Sequence, residues 1–153
     1  MTQMVSKTAD DTTALGEKIG RSIKKEISIA LTGDLGAGKT TFVQGLARGL
    51  GVSHQYYITS PTFTILNTYP AKEFTLCHLD LYRLAEADEL EYIGFDDLVN
   101  PDHIIVVEWP GILKELSHPF DLEIDFHFDD SHHRILSMTA YGQEGSNLLS
   151  NLS

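Results

Sequence analysis

Residues 33 to 40 read Gly-Asp-Leu-Gly-Ala-Gly-Lys-Thr, inside the stretch "TGDLGAGKTTF". This is the G-x-x-x-x-G-K-[ST] spacing of a phosphate-binding loop. Glycines let successive backbone N–H groups turn inward around phosphate oxygens, the following helix points its positive end at them, and Lys39 adds a full charge. Thr40 offers a hydroxyl suited to Mg²⁺. At average residue frequencies a chain of this length matches the pattern by accident roughly once in a few hundred cases. Candidate nucleotide contacts are therefore Gly33, Asp34, Leu35, Gly36, Ala37, Gly38, Lys39, Thr40 and Thr41.

Hydrolysis at such a loop also needs a carboxylate at the end of a core strand, acting on the metal or on its waters. Two are available. Asp80 ends "FTLCHLD" and Glu108 ends "HIIVVE", whose four consecutive aliphatics describe a central buried strand better than a run interrupted by His78. His78 lies two residues before Asp80, so on a strand it shares that face and is either a hydrogen-bond partner of that acid or a structural histidine. In Ser60-Pro61-Thr62-Phe63-Thr64, hydroxyls flank a proline that fixes the backbone. The segment is either a loop that senses the γ-phosphate, with Thr62 as the candidate, or a plain β-edge segment. Trp109-Pro110-Gly111 follows Glu108 directly, and an aromatic at that point serves as a wall, a switch or plain packing.

These groups need strands and helices to position them. Leu15, Ile19 and Ile23 at four-residue spacing predict an amphipathic helix over 10–24, with Asp10 and Asp11 suited to its start. "EISIALT" reads as a strand entering a buried sheet, and 39–50 as a helix ended by Gly51. "YYITSPTFTILNTYP" and "EFTLCHLDLYRL" read as neighbouring strands with a turn near Pro70-Ala71-Lys72. Leu84, Ala87, Leu90 and Glu91 fall at helical spacing, broken by Gly94. "HIIVVE" is a strand covered on both faces, and "DLEIDFHF" with "RILSMTAY" forms a final antiparallel pair. The tail "GQEGSNLLSNLS" is a short helix or a frayed end. The fold class is α/β: one P-loop NTPase domain spanning residues 1–153, a mixed β-sheet flanked by helices.

Composition narrows the partners. A net charge of −11 with only 11 Lys and Arg residues is poorly suited to gripping nucleic acid directly, because that affinity comes from neutralising phosphates. Any RNA is expected to be held by a partner protein. The apolar runs are far shorter than the ~20 residues of a membrane span, and the N-terminus shows no basic-then-apolar secretory signal. Cys77, the single cysteine, suits a small buried hydrophobe in a reducing compartment, so a cytoplasmic location is expected.

"GDLGAGKTTF", "SPTFTILNTY", "HLDLYRL", "DELEYIGFDDL" and "VVEWPG" occur in this order and spacing in the TsaE (YjeE) family. The chain resembles that family from about Asp10 to Arg134. The resemblance implies an ATPase required for threonylcarbamoyladenosine formation in tRNA, with ATP and Mg²⁺ as cofactors. It also implies TsaD and TsaB as partners and contact with tRNA only through them. Thr40 and Glu108 are implied to hold Mg²⁺, Asp80 to take part in hydrolysis, and segments 60–64 and 108–111, with Trp109 and Gly111, to behave as switch-like loops. Nucleotide contacts are further implied near the start of the first helix, at Asp10 and Thr13, and at a basic residue late in the chain, His133 or Arg134. The candidate catalytic set is Lys39, Asp80, Glu108 and Thr62. The arginines at 21, 48, 83 and 134 include no obvious arginine finger unless Arg83 or Arg134 folds inward, so hydrolysis is expected to be slow alone and faster with a partner. A nucleotide-dependent switch without a catalytic requirement, and a small-molecule kinase, are the alternative classes. A kinase would need an arginine-rich lid and a substrate-binding domain, and neither is visible.

Overall fold

The computed structural model describes residues 1–84, 86, 89–115 and 119–152. One seven-stranded mixed sheet organises them, in the order β1-β7-β6-β2-β5-β4-β3. The strands are β1 (Thr2–Ser6), β2 (Ile27–Gly33), β3 (Leu66–Pro70), β4 (Thr75–Asp80), β5 (His103–Glu108), β6 (Leu122–Phe128) and β7 (Arg134–Ala140). The helices are α1 (Ala9–Ser22), α2 (Lys39–Leu50), α3 (Glu89–Tyr92), α4 (Phe95–Leu98), α5 (Gly111–Glu115) and α6 (Gln143–Ser150).

The four central strands, β6, β2, β5 and β4, run parallel, and the outer pairings are antiparallel. Alternation along β2 feeds two cores. Ile29 and Leu31 meet Leu15, Ile19, Phe42 and Leu46 of α1 and α2 on one face. Ala30 joins Leu79, Val107, Leu90 and Leu113 on the other. Phe42 and Phe126 close the first core edge to face, with ring centroids 5.8 Å apart. Each such fully buried side chain contributes about 1.5–3 kcal/mol relative to exposure. Cys77 is fully buried in the second core, and burial pushes its thiol up to about 11.

The helix expected over 10–24 begins one residue earlier. Its N-cap is Thr8, whose Oγ1 accepts from the Asp11 N–H at 3.1 Å, a bond that satisfies one of the orphan donors of the first turn. Asp10 and Asp11 occupy that turn, where acids complement the helix dipole. The predicted bounds of α2 and its end at Gly51, left-handed at φ 90°, hold. Two expectations need correction. The strand expected from Tyr56 is confined to Leu66–Pro70, because residues 61–65 close a turn in which the Ile65 N–H donates to the Pro61 carbonyl at 2.7 Å. The helix expected from Leu84 is confined among the described residues to two single turns separated by Gly94, left-handed at φ 69°. Ala87, on which part of that reading rested, lies outside the described residues. The N-terminal residues form β1, an edge strand on β7 that the periodicity did not indicate. The tail is a helix, α6, with Leu148 buried against the first core. None of the described helices is long and apolar enough to cross a membrane.

Candidate nucleotide site

Parallel strands deliver their C-terminal ends to one edge of the sheet, which is where open α/β sheets place ligand sites. Glu108 stands opposite Leu31 of β2 and Asp80 of β4 in the register. The glycine loop that leaves β2 and both strand-end acids are thereby brought together by backbone pairing alone. A cleft of about 350 Å³ opens there, lined by the loop and α2 start (Leu35, Gly36, Gly38, Lys39, Thr40, Thr41), by Ser60 and Thr62, and by Asp80, Glu108, Trp109 and Arg134.

The loop has the shape of a phosphate cradle. Gly36 is left-handed at φ 80° with open space where a side chain would stand, and Gly38 is left-handed at φ 104°. Gly38 is also the N-cap of α2 and offers no side-chain cap, so the first N–H groups of this twelve-residue helix are left for a ligand. A Cβ on Gly38 would lie 2.8 Å from Arg134 Nε. That nitrogen donates to the Ala37 carbonyl at 3.0 Å, fastening the loop from the C-terminal hairpin.

Lys39 is 4 % exposed. Its Nζ donates to the Gly33 carbonyl at 2.7 Å and sits 4.0 Å from the centre of the Trp109 ring. Burial holds the ammonium below the usual lysine value, and the charges of Glu108, Asp80 and Asp34 oppose that shift. Trp109 takes a left-handed backbone, φ 57°, uncommon for a residue with a side chain. Its ring lies 4.9 Å from that of Tyr82. Among the roles open to an aromatic here, the structure makes Trp109 a cover over the lysine.

The two acids are held differently. Asp80 Oδ2 accepts from Ser60 Oγ and Thr62 Oγ1, each at 3.3 Å, and Oδ1 accepts from the Tyr82 N–H at 3.0 Å. Both hydroxyl contacts are longer than the usual O–H···O distance. Glu108 Oε2 lies 2.7 Å from His78 Nε2. The expected pairing of His78 with Asp80 is thus replaced by one with Glu108: the two residues share a sheet face, and Asp80 is already occupied by the loop.

Not every candidate reaches the cleft. Asp10 is exposed, and the half-buried Thr13 donates its hydroxyl back to Ala9. Gly33 contributes its carbonyl to Lys39, and Asp34 is exposed on the loop. Gly111 begins α5 with open space where a side chain would stand. His133 turns to Asp129, donating its backbone N–H at 2.9 Å, whereas Arg134 lines the cleft. Thr64 bonds Asn67, outside the site. The sequence reading missed the Ser60 bond to Asp80 and the His78–Glu108 pair. The first was signalled by the cluster of hydroxyls, and the second required knowing that β4 and β5 are neighbours.

The donor set suits a divalent cation held on a phosphate chain. Thr40 and Glu108 are hard oxygen donors, and Mg²⁺ at phosphate sites takes one or two protein ligands with the rest from phosphates and water. Among the described residues no group of three or more His, Cys, Asp or Glu side chains converges as a metal cage. His127 bonds Asp125 at 3.2 Å, whereas His133 lies beside Asp129.

A family model described as threonylcarbamoyl adenosine biosynthesis protein TsaE matches residues 6–136. The chain is 40 % identical over 134 residues to the tRNA threonylcarbamoyladenosine biosynthesis protein TsaE of Haemophilus influenzae, covering 85 % of this chain and 80 % of that one. It is 34 % identical to the TsaE of Bacillus subtilis, over 94 % of this chain and 89 % of the relative. Among solved structures, the crystal structure of Bacillus subtilis YdiB superposes with a TM-score of 0.77 at 28 % identity, covering 99 % of this chain and 93 % of that one.

Proposed function

The chain belongs to the TsaE family of threonylcarbamoyladenosine biosynthesis proteins, and from that premise we propose that it is a Mg²⁺-dependent ATPase in the formation of this nucleoside in tRNA. The observation that carries the reading is the convergence of the glycine loop and Lys39 with two strand-end carboxylates in one cleft.

Phosphoryl transfer is mostly positioning and charge stabilisation. The N–H groups of the loop and of the α2 start bind phosphate oxygens. Lys39 exchanges the Gly33 carbonyl for phosphate, which requires Trp109 to yield its place over the ammonium. Thr40 and Glu108 would hold Mg²⁺, which would supply positive charge to the phosphate oxygens. Asp80, with Ser60 and Thr62 fixed on it, orients the attacking water. Arg134 already reaches the loop and is the arginine of this chain placed to meet developing charge. Arg83 instead stacks on the exposed Phe63 ring, 4.3 Å from its centre.

Arg134 lines the cleft but spends its Nε on the Ala37 carbonyl, so turnover by the chain alone is slow and rises in complex with TsaD and TsaB. With a net charge of −11, contact with tRNA runs through those partners. Location in the cytoplasm follows from this role. ATPase rates of the protein with and without TsaD and TsaB, alongside Lys39→Ala, test the proposal. Stimulation that Lys39→Ala abolishes is the expected result. Absence of MgATP binding, or a fast rate indifferent to the partners, would refute it. Glu108→Ala separates hydrolysis from a pure binding switch: full tRNA modification by a variant that binds but does not hydrolyse ATP would favour the switch.

A further inference from the structure

His78 contributes nothing to the chemistry just described, yet it is wholly buried against Glu108, one of the acids that line the cleft. It faces Val106 across the β4–β5 pairing, so residues 78, 80, 106 and 108 project on the same face of the sheet. With Glu108 Oε2 as the acceptor, the hydrogen between it and His78 Nε2 belongs to the ring. The other ring nitrogen, Nδ1, is buried with no hydrogen-bond partner among the described residues. The imidazole thus makes one bond only, and that bond goes to the carboxylate. A leucine would fill the same layer without burying an unpartnered nitrogen, so packing alone does not account for histidine here.

We propose that His78 is a positioning residue for Glu108. By holding Oε2 it fixes the carboxylate and leaves Oε1, which has no hydrogen bond among the described residues, as the oxygen available to a cation or its water. The inference rests on the ATPase reading above. It extends that reading from the residues that touch nucleotide to the one that orients an acid.

The test compares the whole protein with His78→Gln, His78→Asn and His78→Leu. A glutamine amide nitrogen reaches the Nε2 position, whereas an asparagine nitrogen falls near Nδ1, where no partner waits. In nucleotide-free protein labelled with ¹⁵N-histidine, NMR is expected to find the ring hydrogen on Nε2 and protected from exchange. Binding of a fluorescent ATP analogue and steady-state kinetics then follow, each across a Mg²⁺ titration. His78→Leu and His78→Asn should raise the Mg²⁺ requirement and lower kcat by about 10–100-fold, the range for lost partners of metal ligands. Nucleotide affinity in EDTA should stay unchanged, and His78→Gln should restore most of the loss. If the leucine variant does not fold, the Gln–Asn difference still decides. Wild-type kcat and Mg²⁺ dependence in His78→Asn, or a ring hydrogen on Nδ1, would overturn the inference while leaving the ATPase reading intact. An unaltered protein with the Nε2 hydrogen that neither binds nor hydrolyses MgATP would instead overturn the ATPase reading, and the role of His78 with it.

Discussion

Gly45 sits in the middle of α2, where replacement by alanine ordinarily favours a helix by about 1 kcal/mol. Here α1 crosses so closely that a Cβ on Gly45 would lie 2.1 Å from the Thr13 carbonyl oxygen and 3.0 Å from Thr13 Cα. Gly16 makes the reciprocal approach, its added Cβ being 2.4 Å from the Phe42 carbonyl oxygen. Both obstacles are backbone within helices, so no rotamer change relieves them. The helices must part by roughly 1 Å to recover normal contact distance. Parting loosens Leu15 and Ile19 against Phe42 and Leu46, in the core that carries the glycine loop. Overpacking of this kind costs about 1–3 kcal/mol. Taking the upper end for a rigid obstacle and subtracting the helix-forming gain leaves Gly45→Ala about 2 kcal/mol less stable. For a chain of this size that lowers Tm by about 4–8 °C, measurable by far-UV circular dichroism. Gly111→Ala, with nothing within 4 Å of the added carbon, is the control and should stay within about 0.5 kcal/mol. A Gly45→Ala protein that melts at or above the wild type would refute the steric argument.

Lys39 should lose its proton below the usual lysine range because burial opposes its charge. ATP affinity is therefore expected to fall as pH rises through that lowered value, and Lys39→Arg should move the alkaline limb outward; coincident limbs in a binding titration would contradict this. Stability has the opposite sign, since the unfolded chain keeps the proton longer, so the unfolding free energy should rise with pH between the folded and unfolded values. Ser60→Ala combined with Thr62→Ala removes both hydroxyls from Asp80 and should lower kcat about tenfold with little change in KM, as steady-state kinetics would show. Asp129 accepts the N–H groups of Ser131 and His133 in the β6–β7 turn, and the His133 bond above all lowers its pKa. Its contribution is present above the ordinary aspartate range and lost as pH falls through the lowered value, so urea unfolding should show Asp129→Ala weaker than wild type at neutral pH and converging with it in acid.

Much of the site was legible because its parts are local. The glycine spacing from Gly33 to Thr40 places the turn, the helix N-terminus and the lysine within one strand–loop–helix unit, and no distant contact is needed to specify it. Asp80 and Glu108 were legible because each closes an apolar run at a strand's end. The losses came where a residue's partner is remote. His78 is two residues from Asp80 in sequence, yet it bonds Glu108, thirty positions away, because β5 lies beside β4 and Asp80 is claimed by Ser60 and Thr62. The run from Tyr56 to Ile65 has strand-like composition, but after Ile58 gives its carbonyl to Gln44 the chain turns across the cleft. Residue type could not report that departure. Arg134 and His133 were equivalent in sequence, and hairpin geometry separated them by turning one to the loop and the other to Asp129.

What the sequence determined by itself is the phosphate loop, the two acids and the alternation that makes β2 a two-faced central strand, since these depend on backbone conformation and on residues close along the chain. What only the tertiary structure decided is which acid His78 serves, that Trp109 covers Lys39, and that α1 approaches α2 too closely to admit a Cβ at Gly45. Each of these depends on strand order or helix crossing, which bring together groups far apart in the chain, and local periodicity carries no information about that separation.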